Sequence, residues 1–309
     1  MSVSWFRRTV LALACAGSAA LLTACGSGSV VSDLNPTRFI TVGDGFADVG
    51  QKGYRFTIND GTPNWVQQLA ANYGRTVTAA STGGWGYAQG DAHVNSADTS
   101  SGTNAPSVKA QIDTLLARLG SAGFDKKGDV MMINGGMSDI VDAVNATGIS
   151  TATTQTVKAA GTALGEQVRR LVNAGATHVV VTGVYNLGNT PWGQQLKQSS
   201  ALETLSNDFN EALKIDIVDL GNNVLFFDSA LFFNLIYNND HNDYPLDNAR
   251  DPVCTTPDAT TCNLQTLVSG ADSTRWLFAD NLYFTPTAQR MFVSEDYTEN
   301  VYYKFKQRW

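Results

Sequence analysis

No stretch of this sequence clusters lysine and arginine among aromatic residues, which argues against a nucleic-acid partner. Histidine is scarce: His93, His178 and His241 are the only candidates for an imidazole base or ligand. The longest apolar run, TVLALACAGSAALLTA, is short and rich in small residues, a poor membrane span. There is no internal repeat and no linker-like break after residue 37, so a single domain over 38–309 is expected. Charge is present mainly as acid, a formal −7, which speaks for solubility and little else. With 43% hydrophobic and 16% charged residues, the chain has the composition of a folded protein and not of a disordered one.

The first residues read as a processing segment. Arg7 and Arg8 give a positive start, and the apolar core ends on Leu22-Thr23-Ala24-Cys25. That ending resembles a bacterial lipobox, which implies a signal peptide over 1–24 and a lipidated Cys25 holding the chain to a membrane. The competing reading is an ordinary secretory signal with a chance cysteine. By the same resemblance, Gly26 implies sorting to the outer membrane of a Gram-negative envelope. Residues 25–37, CGSGSVVSDLNPT, are small and polar, the composition of a flexible tether. Only Cys254 and Cys262 then remain, bracketing CTTPDATTC. In an exported chain such a close pair predicts a disulfide. Metal ligation is the rival, but no third cysteine or nearby histidine completes a zinc set.

Beyond residue 37, strand-like and helix-like segments alternate, predicting an α/β/α sandwich around a mostly parallel sheet of five strands. The strands expected are 38–44, RTVTAA at 75–80, 129–135, THVVVTGV at 177–184, and NVLFFDS at 223–229. Helices are expected at 62–74, 105–120, within GMSDIVDAV, over 151–176, over 194–221, at ALFFNLIYN, and from Thr285 to near the C-terminus. Residues 239–275 read as a long loop. In open sheets of this kind ligands sit at the carboxyl ends of the strands.

Four blocks in order, VGDGFADVG, GYAQGDA, INGGMSDI and FADNLYFTP, resemble the landmarks of the SGNH or GDSL hydrolases, exported esterases and lipases. The segment LFFNLIYNNDHNDYPLDNARDPVC also resembles a stretch of GDSL esterases. The resemblance implies a flavodoxin-like α/β/α fold and an acyl-transfer site without a cofactor. It places the serine nucleophile at Gly45, the oxyanion asparagine at Ser138, the histidine at Tyr283 and the orienting aspartate at Asp280. The oxyanion glycine falls on Asp91 in strict register, or on Gly90 after a slip of one residue. Gly45 supplies no nucleophile, and a phenol of ordinary pKa near 10 is a poor base at neutral pH. Losing the nucleophile or its base costs a serine hydrolase on the order of a millionfold in turnover. The expectation is an inactive or strongly impaired hydrolase fold that acts as a binding or scaffold module. The alternative is an active ester hydrolase with an unorthodox residue set, Asp280 being the first suspect.

Other residues offer a replacement chemistry on paper. His178, inside a strand-like run, suits a structural place; His93 follows the glycine-rich loop and could approach the site; His241 reads as solvent-exposed. Ser81 and Ser138 suit turn or cap hydrogen bonds. Asp44, Asp48, Asp91, Asp139 and Asp280 could together hold a divalent cation, although Asp44 and Asp139 equally suit the caps of following helices. Trp85 and Tyr87 on one side of the expected cleft, with Tyr283 and Phe284 on the other, suit a sugar or acyl ligand. The same aromatics could equally be filling space left by a missing triad.

Overall fold

Strands β1 (Arg38–Val42), β2 (Asp129–Asn134), β3 (Val179–Thr182) and β4 (Val224–Phe227) form a parallel sheet in that spatial order. Their runs RFITV, DVMMIN, VVVT and VLFF are nearly continuous in apolar residues. Every residue of β2 and β3 is buried, so helices cover both faces of the sheet there. The register pairs Phe39 with Val130, Met132 with Val180, and Val180 with Leu225. These observations come from a computed structural model that describes residues 32–239 and 242–309. The expected signal segment 1–24, Cys25, the first part of the expected tether and His241 lie outside the described residues. Asp33–Trp309 forms one compact unit.

The covering helices are α1 (Trp65–Asn72), α2 (Val108–Leu119), α3 (Met137–Thr147), α4 (Thr151–Asn173), α5 (Pro191–Leu196), α6 (Ser199–Asp216), α7 (Ser229–Asn238), α8 (Pro286–Met291) and α9 (Val301–Arg308). Their starts follow local chemistry. Asn64 and Gln67 form a reciprocal capping box on α1, and Thr190-Pro191 and Thr285-Pro286 each place a hydroxyl cap before a proline. No helix among the described residues is long and apolar enough to cross a membrane.

Three expectations are corrected. The fifth strand at 75–80 does not form. Residues 78–86 fold back on themselves, with Gly86 N–H donating to Thr78 O (2.9 Å) and Ala80 N–H to Gly86 O (2.7 Å). The edge of β1 is closed instead by Trp85–Tyr87: Thr41 N–H donates to Trp85 O (3.0 Å) and Tyr87 N–H to Thr41 O (2.7 Å). Glycine permits this, since a methyl group on Gly84 would lie 2.0 Å from Thr78 O. The helix expected over 194–221 is two, α5 and α6. Lys197 turns left-handed between them (φ 55°), and Gln194 Nε2 spans the break to Gly188 O and Ser199 Oγ. The C-terminal helix also divides, over residues 292–300, and the break is bridged by Asn300. Its side-chain amide donates to Met291 O at the end of α8, while its oxygen accepts from Tyr303 N at the start of α9.

The loop over 239–275 contains a further strand, β5 (Asn248–Pro252), paired in parallel with β6 (Trp276–Phe278). A polar, proline-terminated edge strand gives little pattern to read. The Cys254–Cys262 disulfide is formed, with Cα atoms 5.8 Å apart and both residues buried. Its loop carries Ala259 beneath the candidate site.

Candidate functional site

At the carboxyl end of β1 the chain turns on Gly43, whose φ of +144° and approach to Asn134 leave no room for a side chain. Gln111 of α2 fixes this turn with a double bond, accepting from Gly43 N (2.8 Å) and donating to Gly43 O (2.9 Å). The next residue, Asp44, is buried and caps the single turn Gly45–Ala47, accepting from Phe46 N at 3.1 Å. It also accepts from the Asn134 amide and from the backbone N–H of Met137 at the start of α3. Asp44 therefore ties the ends of β1 and β2 together and does not face the cavity.

Gly45 and Tyr283 meet. A methyl carbon built on Gly45 would lie 2.5 Å from Tyr283 Oη and 2.8 Å from the Phe56 ring. The volume in which a side chain at 45 would begin is thus filled by a phenol hydroxyl and a phenyl ring. The two rings pack at 4.9 Å between centroids. Burial, with Asp44 and Asp91 nearby, holds the Tyr283 phenol well above its ordinary pKa.

Tyr283 is delivered by a tight turn. Ala279 N–H donates to Tyr283 O, and Thr285 N–H to Leu277 O. The Asp280 carboxylate sits inside this turn. Its Oδ1 accepts from Leu282 N (2.8 Å) and Tyr283 N (2.6 Å), and its Oδ2 from Ala259 N (2.8 Å) in the disulfide loop. Three backbone donors thus share a carboxylate that is 3% exposed.

Tyr283, Asp280 and Ser138 line one cavity of about 190 Å³, together with Phe56, Asp91, Ser100, Ser101, Met137, Val141, Asp142, Pro257, Asp258 and Leu282. Asp91, not Gly90, forms its wall, and Asp91 adopts φ 64°, a conformation glycine takes freely. Gly90 lies under Phe56, and its N–H donates to Asp48 Oδ2 at 2.9 Å. Asp48 is occupied further by Gly50 N and Gln51 N.

Three aromatic expectations are corrected. Trp85 lies outside the cavity, stacked between the Arg38 and Arg118 guanidinium groups at 4.2 and 3.7 Å. Tyr87 is buried beside it, accepting from Arg118 Nη1 at 3.2 Å. Phe284 is fully buried in an aromatic cluster with Tyr185, Phe233 and Phe292.

Asp139 is also corrected. It stands in the first turn of α3, whose N-cap is Gly136, and accepts from Val94 N instead of capping its own helix. Ser81 is exposed and bonds Gln51, and His178 packs edge-on against Trp309; neither lines the cavity. Among the described residues no three His, Cys, Asp or Glu side chains are placed to hold a metal ion.

His93 does approach the cavity rim, through residues not anticipated. Its Nε2 lies 3.0 Å from Asp142 Oδ2, and the Ser100 hydroxyl donates to the same oxygen. Asp142 stands one helical turn after Ser138, and that i, i+4 spacing was the available signal. Nothing in the sequence around Ser100 marked it.

The GDSL-like lipase/acylhydrolase model matches residues 39–295. The chain belongs to that family. No curated protein matches it. Among solved structures, this GDSL family member is similar to phospholipase A1 from Streptomyces albidoflavus NA297, at 14% identity over 88% of this chain and 98% of that one, TM-score 0.43. It is also similar to an extracellular lipase from Streptomyces rimosus, at 18% identity over 62% of this chain and 81% of that one, TM-score 0.38. Family membership rests on the match over 39–295.

The site's charge has a measurable consequence. Burial raises Asp44, Asp139 and Asp280 from 3.8 to about 6 each. Between those values the folded chain binds more protons than the unfolded one, so stability falls as pH rises through that window. Half-buried His178, lowered by burial, opposes this with one group. The melting temperature is expected to be several degrees higher at about pH 5 than at about pH 7.5. Scanning calorimetry across that range tests it, and Asp44→Asn should shrink the difference. A melting temperature that rises from pH 5 to 7.5 would refute the assignment.

Proposed function

We propose that this GDSL-family chain does not hydrolyse esters, and that it serves as a ligand-holding or scaffold module anchored to the outer membrane through lipidated Cys25. One observation carries the first part: Tyr283 Oη stands 2.5 Å from where a side chain on Gly45 would start. The attacking oxygen is missing, and its place is taken as well. The remaining catalytic parts are engaged elsewhere. The Asp280 oxygens hold three backbone N–H groups, and the cavity wall at the expected oxyanion glycine carries the Asp91 carboxylate. Absence of nucleophile or base alone removes about six orders of magnitude from a serine hydrolase.

The cavity supports a small polar ligand. At about 190 Å³ it falls below the size of pockets for drug-sized molecules or long acyl chains. Its wall carries the hydroxyls of Ser100, Ser101 and Ser138 and the carboxyls of Asp91, Asp142, Asp258 and Asp280, with no cationic side chain among the lining residues. That lining favours a neutral polyhydroxyl molecule such as a sugar unit over an anionic acyl group.

A second reading, an active hydrolase with a different residue set, has Ser100, Asp142 and His93 in its favour. Their order opposes it, because the carboxylate stands between hydroxyl and imidazole instead of behind the imidazole. Purified protein offered p-nitrophenyl acetate and butyrate is expected to show no turnover above buffer, and a fluorophosphonate is expected to label no serine. Turnover abolished by Asp280→Ala would overturn the proposal, and labelling at Ser100 would establish the second reading.

A further inference from the structure

We propose that the amino-terminal edge of the sheet, marked by Lys126, Lys127, Arg308 and Trp309, lies against an anionic lipid surface, leaving the cavity at the opposite edge facing away from the membrane. The inference rests on the anchor at Cys25 proposed above and adds the orientation that anchor imposes.

The parallel sheet gives the chain two unlike ends. Residues 33–37 lead into β1, Lys126 and Lys127 precede β2, and His178 precedes β3, so all three entries share one edge. Gly45 follows β1 and Ser138 follows β2, which puts the cavity at the other edge. Seven residues separate Cys25 from Asp33, and even fully extended the eight steps between their Cα atoms span at most about 28 Å. A lipid on Cys25 therefore holds the entry edge close to the bilayer.

That edge carries chemistry suited to lipid headgroups. Asp33, Leu34, Asn35, Lys126, Lys127, His178 and Trp309 line an open groove of about 570 Å³. Lys126 and Lys127 are exposed and make no ion pair among the described residues, and Arg308 is likewise exposed beside Trp309. Asp33, Asp125 and the main-chain carboxylate of Trp309 are the acids beside them, and Asp125 is turned back on its own loop, accepting from Lys127 N at 3.0 Å. Trp309 is half-buried against His178 and Phe305, and its indole N–H is shielded from solvent without an acceptor. An aromatic ring and basic side chains at the point of attachment are the groups that favour the headgroup layer.

The test uses the mature chain in vesicles of phosphatidylcholine, with or without about a third phosphatidylglycerol, each juxtamembrane lysine contributing roughly a fivefold change in partitioning. Lysines are acetylated briefly with a water-soluble reagent and mapped by mass spectrometry. Lys126 and Lys127 are expected to react about fivefold more slowly on the anionic vesicles. Lys52, on the loop after Gly45, should react equally on both. The N-terminal peptide is weighed in the same experiment. Lipid on Cys25 with equal reaction of Lys126 and Lys127 on both vesicles overturns the contact with anionic lipid alone. Cys25 without lipid overturns the anchor and the orientation together.

Discussion

Asp280→Ala is expected to lower the stability of the domain by at least about 3 kcal/mol, seen as a melting temperature roughly 10 °C lower. The magnitude follows from what the carboxylate holds. Leu282, Tyr283 and Ala259 would each keep a backbone N–H with its acceptor gone, at about 1–3 kcal/mol for each one left buried. Relief of a buried charge offsets part of this, since burial has already moved Asp280 up to about 6. Three lost acceptors outweigh that relief. Asp280→Asn should lie between parent and alanine variant, because an amide still accepts from Leu282 and Tyr283 but presents N–H to Ala259 N–H. In a serine hydrolase the orienting aspartate acts through its histidine, so its loss appears mainly in kcat. Here it should appear in calorimetry. An alanine variant melting within about 2 °C of the parent would show that the carboxylate is not the clamp described.

The sheet was legible because its inner strands have no polar face. DVMMIN and VVVT are buried on both sides and allow no other placement. The edge was not legible, because glycines let residues 78–87 close β1 through loop contacts that no local pattern encodes. Trp85 illustrates the same limit. Its partners Arg38 and Arg118 are distant in sequence, and only the tertiary fold brings two guanidinium groups onto one ring. Phe284 could have been read correctly. Neighbouring side chains in extended backbone point to opposite sides, so a Tyr283 aimed at the cavity sends Phe284 into the core. Convergence of Gly45, Ser138, Asp280 and Tyr283 followed from the order of the four blocks. The engagement of Asp280 with Ala259 did not, because it passes through the disulfide loop, where the sequence indicates a link but not what the loop touches.

A chain carrying Gly45→Ser together with Tyr283→His is expected to react with a fluorophosphonate at position 45, whereas Gly45→Ser alone is expected to remain unlabelled. The single change drives a Cβ to within 2.5 Å of Tyr283 Oη and 2.8 Å of Phe56, an overpacking that costs about 1–3 kcal/mol and leaves the hydroxyl without a base. Replacing the phenol by the shorter imidazole removes the first contact and gives Phe56 space to move. It also sets a proton acceptor three residues after Asp280. Turnover should nevertheless stay low, because the site is poor in donors for a developing oxyanion: Asp91 sets a carboxylate on the cavity wall, and Ser138 stands where an amide would. One such donor is worth about 10²–10³ in kcat. Adding Ser138→Asn should therefore raise the rate by a factor of that order without changing the extent of labelling. Labelling separates the loss of the nucleophile from the loss of the hole, and the rate measures the second. If the double variant folds with a parent-like melting temperature yet remains unlabelled, the site has been remodelled beyond the positions 45 and 283. Phe56, resting on Gly90 and pressed against Tyr283, would then be the next group to remove.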